Sequence, residues 1–326
     1  MVVKLLQVAQ EMNKAVYFIT GILGMGILLS SCTVSEKTYT KDYEETFSDI
    51  KEIELDGRFL EVSYEGREGE PEVFMNAFLE VPESSGVDIK FRKSGSKLKI
   101  EVVGDATFSG WNFGSRFNGF ISLIGPDEIK LNFTNTSGTI DVMHVKHDKI
   151  DLRVNSGSIK LSELEVDDMR LEASSGNISG EGLYGDIHAQ VNSGQIRLSE
   201  VVGNIEAKGS SGNLRFENVE GRVDAKVNSG SIRLEGVKEL GNLSATSGSI
   251  RADNSGLGPE TKLNANSGSV QIQTYSNLED FNFDLSASSG SVKVGDRDSG
   301  KNVKIDNGSA HTIKGSVSSG SIRINN

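Results

Sequence analysis

From about residue 130 onward, apolar and polar positions trade places with period two, in short runs separated by Gly, Ser and Asn. After Gly194, Ile196 and Leu198 are apolar while Gln195 and Arg197 are polar. After Gly212 the same places hold Leu214 and Phe216 against Asn213 and Arg215, and after Gly230 they hold Ile232 and Leu234 against Ser231 and Arg233. Period two is the signature of a strand with one buried face. Ile187, Ala189, Ile205, Ala207, Val223 and Ala225 fall in phase with this inward set. Asp186, His188, Asn204, Glu206, Asp224 and Glu235 fall with the outward one.

The runs repeat. Ser-Gly pairs place glycines at 138, 157, 176, 194, 212, 230, 248, 268, 290 and 320, mostly 18 or 19 residues apart. A second series, Gly185, Gly203, Gly221 and Gly241, halves that spacing, so the unit is about nine residues and two units make one turn. A single unit buries two or three side chains, which does not offset the backbone entropy of ordering it. Stacked units do, each strand pairing in parallel with its equivalent one turn on. The predicted fold is therefore all-β: a β-solenoid, or β-helix, of ~18-residue turns rising about 4.8 Å each. Gly supplies the corner φ, and Asn155, Asn192, Asn228 and Asn266, with Ser156, Ser193, Ser229 and Ser267, are expected to close one corner. The last turn, ending at Asn326, is expected to form an exposed edge.

Residues 46–130 keep strand-like alternation, as in Ile53 and Leu55 or Leu98, Ile100 and Val102, but not the period. They read as an irregular N-terminal β region, either a leading domain or degenerate first turns, ahead of a repeat domain at 131–326. Upstream, a basic Lys14 and an apolar run over 15–29 end in Leu29-Ser30-Ser31-Cys32. This resembles a lipoprotein signal peptide (1–31) with its lipobox, and the expected product is a chain lipidated on Cys32. Residues 32–45 are polar and read as a tether. No later apolar run is long enough to span a bilayer as a helix. The predicted address is the bacterial cell envelope, at the outer membrane or cell surface, with membrane contact through Cys32.

Composition narrows the functions. The 326 residues hold 34 Lys+Arg against 46 Asp+Glu, a formal charge of −12, which argues against nucleic acid as a partner. The single Cys excludes an internal disulfide and a Cys-rich metal site. The nonamers lack the double Gly and the Asp of calcium-binding nonapeptides, no Glu-x-x-His pattern or Ser/His/Asp order is visible, and neither metal nor cofactor is expected.

The Ser-Gly-[Ser/Asn]-Ile-Arg-Leu and Gly-[Asn/Asp]-Ile-x-Ala units resemble the bacterial β-strand-repeat family labelled "putative adhesin", a domain of unknown function. Phe47-Ser48-Asp49-Ile50 and the Gly125-Pro126 step match that family's entry region, so the resemblance covers roughly 46–326. It implies a β-helical surface or periplasmic protein with no agreed catalytic residues, and no site is carried over from it.

Two candidate sites come from the residues themselves. Arg197, Arg215, Arg233 and Arg251 each stand three places after a Ser-Gly glycine, extended by Lys160, Lys293 and Arg323, and should form one exterior column. It reads either as a strip for an anionic glycan or as an Arg/Glu ladder neutralised by Glu217, Glu235 and Asp253. The aromatic cluster Phe108, Trp111, Phe113, Phe117 and Phe120 reads either as a binding loop or as a plug for the end of the solenoid. The functional expectation is a non-catalytic, lipid-anchored binding or adhesion solenoid with a glycan or protein surface ligand. The alternatives are a glycan-cleaving β-helix enzyme and an envelope-structural or stress-sensing lipoprotein. Oligomeric state is left open.

Overall fold

The computed structural model describes residues 37–104 and 117–326. The signal segment, Cys32, Phe108, Trp111 and Phe113 lie outside the described residues. The described residues from Thr38 onward belong to one compact unit.

Its middle is the predicted solenoid. β8 (Lys130–Met143), β9 (Lys146–Val202) and β10 (Ile205–Ser255) are runs of extended backbone that turn corners without losing their ladder. β9 pairs with β10 in parallel at an offset of 18 residues, Leu214 on Ile196, Arg215 on Arg197 and Phe216 on Leu198. β8 pairs with β9 at an offset of 19, Ile140 on Ile159. Ile187, Ala189, Ile196, Leu198, Ile205, Ala207, Leu214, Phe216, Val223, Ala225, Ile232 and Leu234 are all buried, so the inward set read from the pattern is the core.

The glycines after the Ser residues form a ladder of backbone contacts. A Cβ placed on Gly157, Gly176, Gly194, Gly212, Gly230, Gly248 or Gly268 would overlap the carbonyl oxygen of the preceding glycine in the same column. Eight of the ten column glycines also have φ between +93° and +151°. Both the space and the dihedral exclude a side chain. The Asn155, Asn192, Asn228 and Asn266 column stands exposed beside it. Side-chain bonds between turns come instead from the residue after the glycine. Asn213 Oδ1 accepts from Ser231 N (3.3 Å) and Oγ (2.7 Å), and Asn177 Oδ1 accepts from Gln195 N (3.2 Å). The second corner has its own ladder, Asp186 Oδ1 accepting from Asn204 N (2.9 Å) and Asn204 Oδ1 from Arg222 N (3.0 Å).

The ends depart from the order of the sequence. β11 (Leu257–Ser267) and β12 (Val270–Thr274) are followed not by the next strand in the chain but by the last one, β16 (Thr312–Asn325). β13 (Asn282–Val294) lies outside β16, so the glycine column runs Gly268, Gly320, Gly290. β14 (Arg297–Gly300) and β15 (Asn302–Ile305) then pair antiparallel with β13. The C-terminal turn is thus interior, not the exposed edge the sequence order suggests, and Asn307-Gly308 belongs to a connecting loop.

The other end mirrors this. β2 (Glu52–Arg58) and β3 (Glu61–Arg67) form a turn in parallel register with β8, so the stack continues across residue 130. β6 (Lys97–Val103) and β7 (Asn118–Pro126) lie beyond them, also parallel. The next strands are antiparallel: β5 (Asp88–Ser94) on β6, β4 (Glu72–Pro82) on β7, and β1 (Thr38–Ser48) on β4. β1 includes most of the stretch expected to be a tether. Only Tyr43 of its side chains is buried, which is why its sequence reads as solvated.

β1 and β5 are laced together across the end. The Tyr43 hydroxyl donates to Asp88, Lys41 Nζ donates to Asp88 Oδ1 (2.7 Å), Lys93 Nζ donates to the Ser48 carbonyl (2.7 Å), and Phe47 meets Phe91 edge-on at 5.7 Å. Burial would raise the Asp88 carboxyl, but donation from Lys41 and Tyr43 holds it below the usual aspartate range. Burial, then the Asp88 bond, pushes the Tyr43 phenol up.

Two expectations follow. Gly212→Ala or Gly230→Ala should cost about 3 kcal/mol or more, from backbone overlap and φ together, while Gly69→Ala, with φ +75° but open space around it, should cost only about 1 kcal/mol. Chemical denaturation of the three variants measures this. For the lacing, a depressed carboxyl contributes stability above its unfolded value that is lost in acid, and a raised phenol contributes stability below its unfolded value that is lost in base. The β1–β5 closure should therefore be tightest between the ordinary values of 3.8 and 10.0. NMR titration of the β1 amides should show loosening below that window, and Asp88→Asn should flatten the acid limb.

Candidate functional site

Each outward residue three places beyond a column glycine stands above its counterpart one turn below. The structure brings Arg197, Arg215, Arg233 and Arg251 onto one face, with Arg197 and Arg215 in direct register. Beyond Arg251 the column continues through Gln271, Arg323 and Lys293, the last two in the order set by the inserted β16. Two contiguous surface grooves lie between the guanidinium side chains. One, ≈ 140 Å³, is lined by residues that include Gln195, Arg197, Asn213, Arg215, Ser231 and Arg233. The other, ≈ 290 Å³, continues it along Arg215, Arg233, Glu235, Arg251 and Asp253.

The column is half neutralised. Arg215 is paired with Glu217, and Arg251 with Asp253 at 2.6 Å, each within its own strand. The Asp253 bond raises the Arg251 guanidinium above its ordinary value. Among the described residues, neither Arg197 nor Arg233 has a carboxylate within 4.0 Å. The strands before each glycine differ. There Arg153 pairs with Asp151 (2.8 Å), Lys149 with Asp168 (3.3 Å), Lys208 with Glu206 (2.6 Å) and Arg222 with both Asp224 (3.0 Å) and Glu260 (2.9 Å). Such exposed pairs contribute little to stability, about 0–1 kcal/mol each, so the contrast bears on what the two faces present to solvent.

The aromatic cluster divides. Phe117 packs edge-on against Phe59 at 5.4 Å, toward the core. Phe120 faces out, 38% exposed, and stacks on Phe78. Among the described residues no three His, Cys, Asp or Glu side chains are grouped to hold a metal ion. Asp306 Oδ1 accepts from the Gly308 amide.

One groove escaped the sequence reading. At the corner following the arginine strands, His144, Glu163, Glu200, Asn218 and Asn254 have φ of +47° to +57°, with Gly182 and Gly236 in the same column. His144, Glu163, Gly182 and Glu200 line a groove of ≈ 600 Å³ with Glu68, Asp127, Glu165 and Tyr184, which is 54% exposed. The signal was present in part: Gly or Asn stands at this phase at 182, 218, 236 and 254, in steps of 36, 18 and 18 residues.

The sequence model of the family described as Toastrack DUF4097 matches residues 50–325. The chain belongs to this family. The Toastrack match takes in the whole stack from β2 to β16, including both inserted turns. No curated protein matches the chain. Similar solved structures include a "putative adhesin" from Parabacteroides merdae, 12% identical, with 88% of this chain and 96% of that one covered and a TM-score of 0.37. A "putative adhesin" from Parabacteroides distasonis is 13% identical over 89% and 97%, TM-score 0.37. A "putative lipid binding protein" from the same species is 16% identical over 89% and 96%, TM-score 0.29.

A left-handed backbone costs a non-Gly residue about 1 kcal/mol. Glu200→Gly should therefore stabilise the Toastrack stack by about that amount in chemical denaturation, whereas Gly182→Glu should not.

Proposed function

We propose that this chain is a lipid-anchored, non-catalytic protein of the bacterial envelope whose solenoid binds an extended surface ligand, a glycan or a protein, along the arginine groove. The observation that carries the reading is the pair of adjoining grooves, sharing Arg215 and Arg233, that runs from Arg197 to Arg251 on a face held rigid by the parallel ladder beneath it. A rigid, repeated face meets an extended ligand with little ordering cost. Two of the three carboxylates along it, Glu217 and Asp253, are engaged by arginines of their own strands, which supports a binding rather than a cleaving role for them. The anchor rests on the Leu29-Ser30-Ser31-Cys32 sequence, with Cys32 the sole cysteine.

Cells displaying the full chain should bind members of a panel of arrayed glycans and matrix proteins. Changing Arg197, Arg215, Arg233 and Arg251 together to Gln should weaken that binding at least about tenfold, given the strength of charge-assisted guanidinium bonds. No binding by the unaltered chain, or undiminished binding by the variant, overturns the reading. Release of oligosaccharide products from any polysaccharide overturns its non-catalytic part. Fatty-acid labelling should disappear in Cys32→Ala, and retained label would refute the anchor.

A further inference from the structure

We infer that the groove seats a linear acidic polysaccharide lying along the solenoid axis, with its anionic groups on Arg197 and Arg233 and about one such group per two-sugar repeat. This rests on the binding reading above and names its ligand.

The inference follows from the alternation of free and engaged arginines. Arg215 and Arg251 are occupied by Glu217 and Asp253, while Arg197 and Arg233 have no carboxylate within 4.0 Å among the described residues. Two turns separate the free pair, which at the spacing of parallel strands is about 9.6 Å. A guanidinium presents a planar fork that matches a carboxylate or sulfate, and one with no partner on its own protein is the more available seat. The level between the seats is already neutral, so a polymer charged at every unit would meet the Arg215–Glu217 pair there rather than a free cation. Nucleic acid fits poorly on the same ground. Its phosphates recur every 3.4 Å or so along a strand, far denser than the seats, and the chain's net charge of −12 repels a dense polyanion.

The other groups in the groove suit a sugar chain. Gln195, Asn213 and Ser231 lie beside Arg197 and Arg233 in the same groove. Asn213 already accepts through Oδ1 from Ser231, which leaves its amide nitrogen free to donate toward a hydroxyl. The seats thus carry charge recognition and the neighbouring ladder offers neutral hydrogen bonds, in register along one axis.

The test uses the full chain in detergent micelles, with calorimetry at several salt concentrations. The probes are a decasaccharide alternating uronic acid with a neutral sugar, an oligouronate of equal length charged on every sugar, a neutral glucan and a single-stranded DNA. The alternating decasaccharide should bind most tightly. Arg197→Gln and Arg233→Gln should each weaken it about tenfold and lower the dependence of log affinity on log salt by about one. The charge-neutral changes Arg215→Gln with Glu217→Gln, and Arg251→Gln with Asp253→Asn, should weaken it less than about threefold, and circular dichroism should show every variant folded. Equal losses at all four levels, tighter binding of DNA or of the fully charged oligouronate, or no binding of the alternating decasaccharide each overturn the inference. If the chain meanwhile still binds another glycan or a protein through the groove, the broader binding function stands and only its ligand class falls.

Discussion

The structure depends on one contact, the passage of each column glycine from Gly157 onward against the carbonyl of the neighbouring glycine in the column. That approach leaves no room for a Cβ, so it fixes where every turn must meet the last, and any change in turn length has to be absorbed elsewhere. The longer turn from Gly248 to Gly268 shows where. Its pairing with the preceding turn slips between Leu240 and Asn242, away from the column, and the extra residues fold into the far corner. There the buried Ser255 and Thr261 hydroxyls take up backbone partners: Ser255 Oγ accepts from Val237 N and Thr261 donates to the Leu240 carbonyl. The corner can vary because its polar groups are satisfied side chain by side chain, whereas the glycine column has only backbone to offer.

A stack of parallel strands leaves two open ends, each a row of unpaired amides and carbonyls that invites further pairing. Both ends are resolved in the same way. A strand from later or earlier in the chain is laid beyond its neighbour out of sequence order, and antiparallel strands close over it. At the leading end β1 carries Lys41, Asp42, Glu44 and Glu45 on its exposed positions, charges that disfavour addition of another strand. The price of that protection is legibility. An edge strand that buries only Tyr43 loses the alternation by which strands are recognised, so its sequence reads as tether. The order of β13 and β16 was equally hidden, because both carry Ser-Gly and an inward apolar pair, and either could occupy the level above β12. The interior columns were legible for the opposite reason: every turn repeats the same inward choice under the same packing demand.

The exterior is free of that demand. Since burial and the glycine contacts hold the stack, outward residues three places past each glycine can be chosen for what they present to solvent. The alignment of Arg197, Arg215, Arg233 and Arg251 was visible in their spacing. Their division into engaged and free members was not, because it turns on side-chain reach. Arg233 stands two places before Glu235 just as Arg215 stands two places before Glu217, yet only the second pair closes. Serine at 199, where the next turn has Glu217, leaves Arg197 without a carboxylate on its own strand.

The left-handed corner shows what a repeat reveals when its simplest residue is missing. The seven turns from His144 to Asn254 have positive φ there, and Gly182, Gly236, Asn218 and Asn254 meet it at low cost. His144, Glu163 and Glu200 meet it at higher cost, and their polar side chains open onto a common groove beside Tyr184. Their mutual contacts recover little of that cost. The His144 Nε2 to Glu163 Oε2 distance is 3.3 Å, but the pair is exposed, where such contacts contribute least. The strain reaches as far as Glu200, in the turn that carries Arg197, while the turns of Arg215, Arg233 and Arg251 carry the low-cost Asn218, Gly236 and Asn254. Three of the four arginine turns are therefore mounted on the relaxed part of the stack, where a repeated geometry is best kept, and the first of them, at Arg197, borders the strained corner at Glu200.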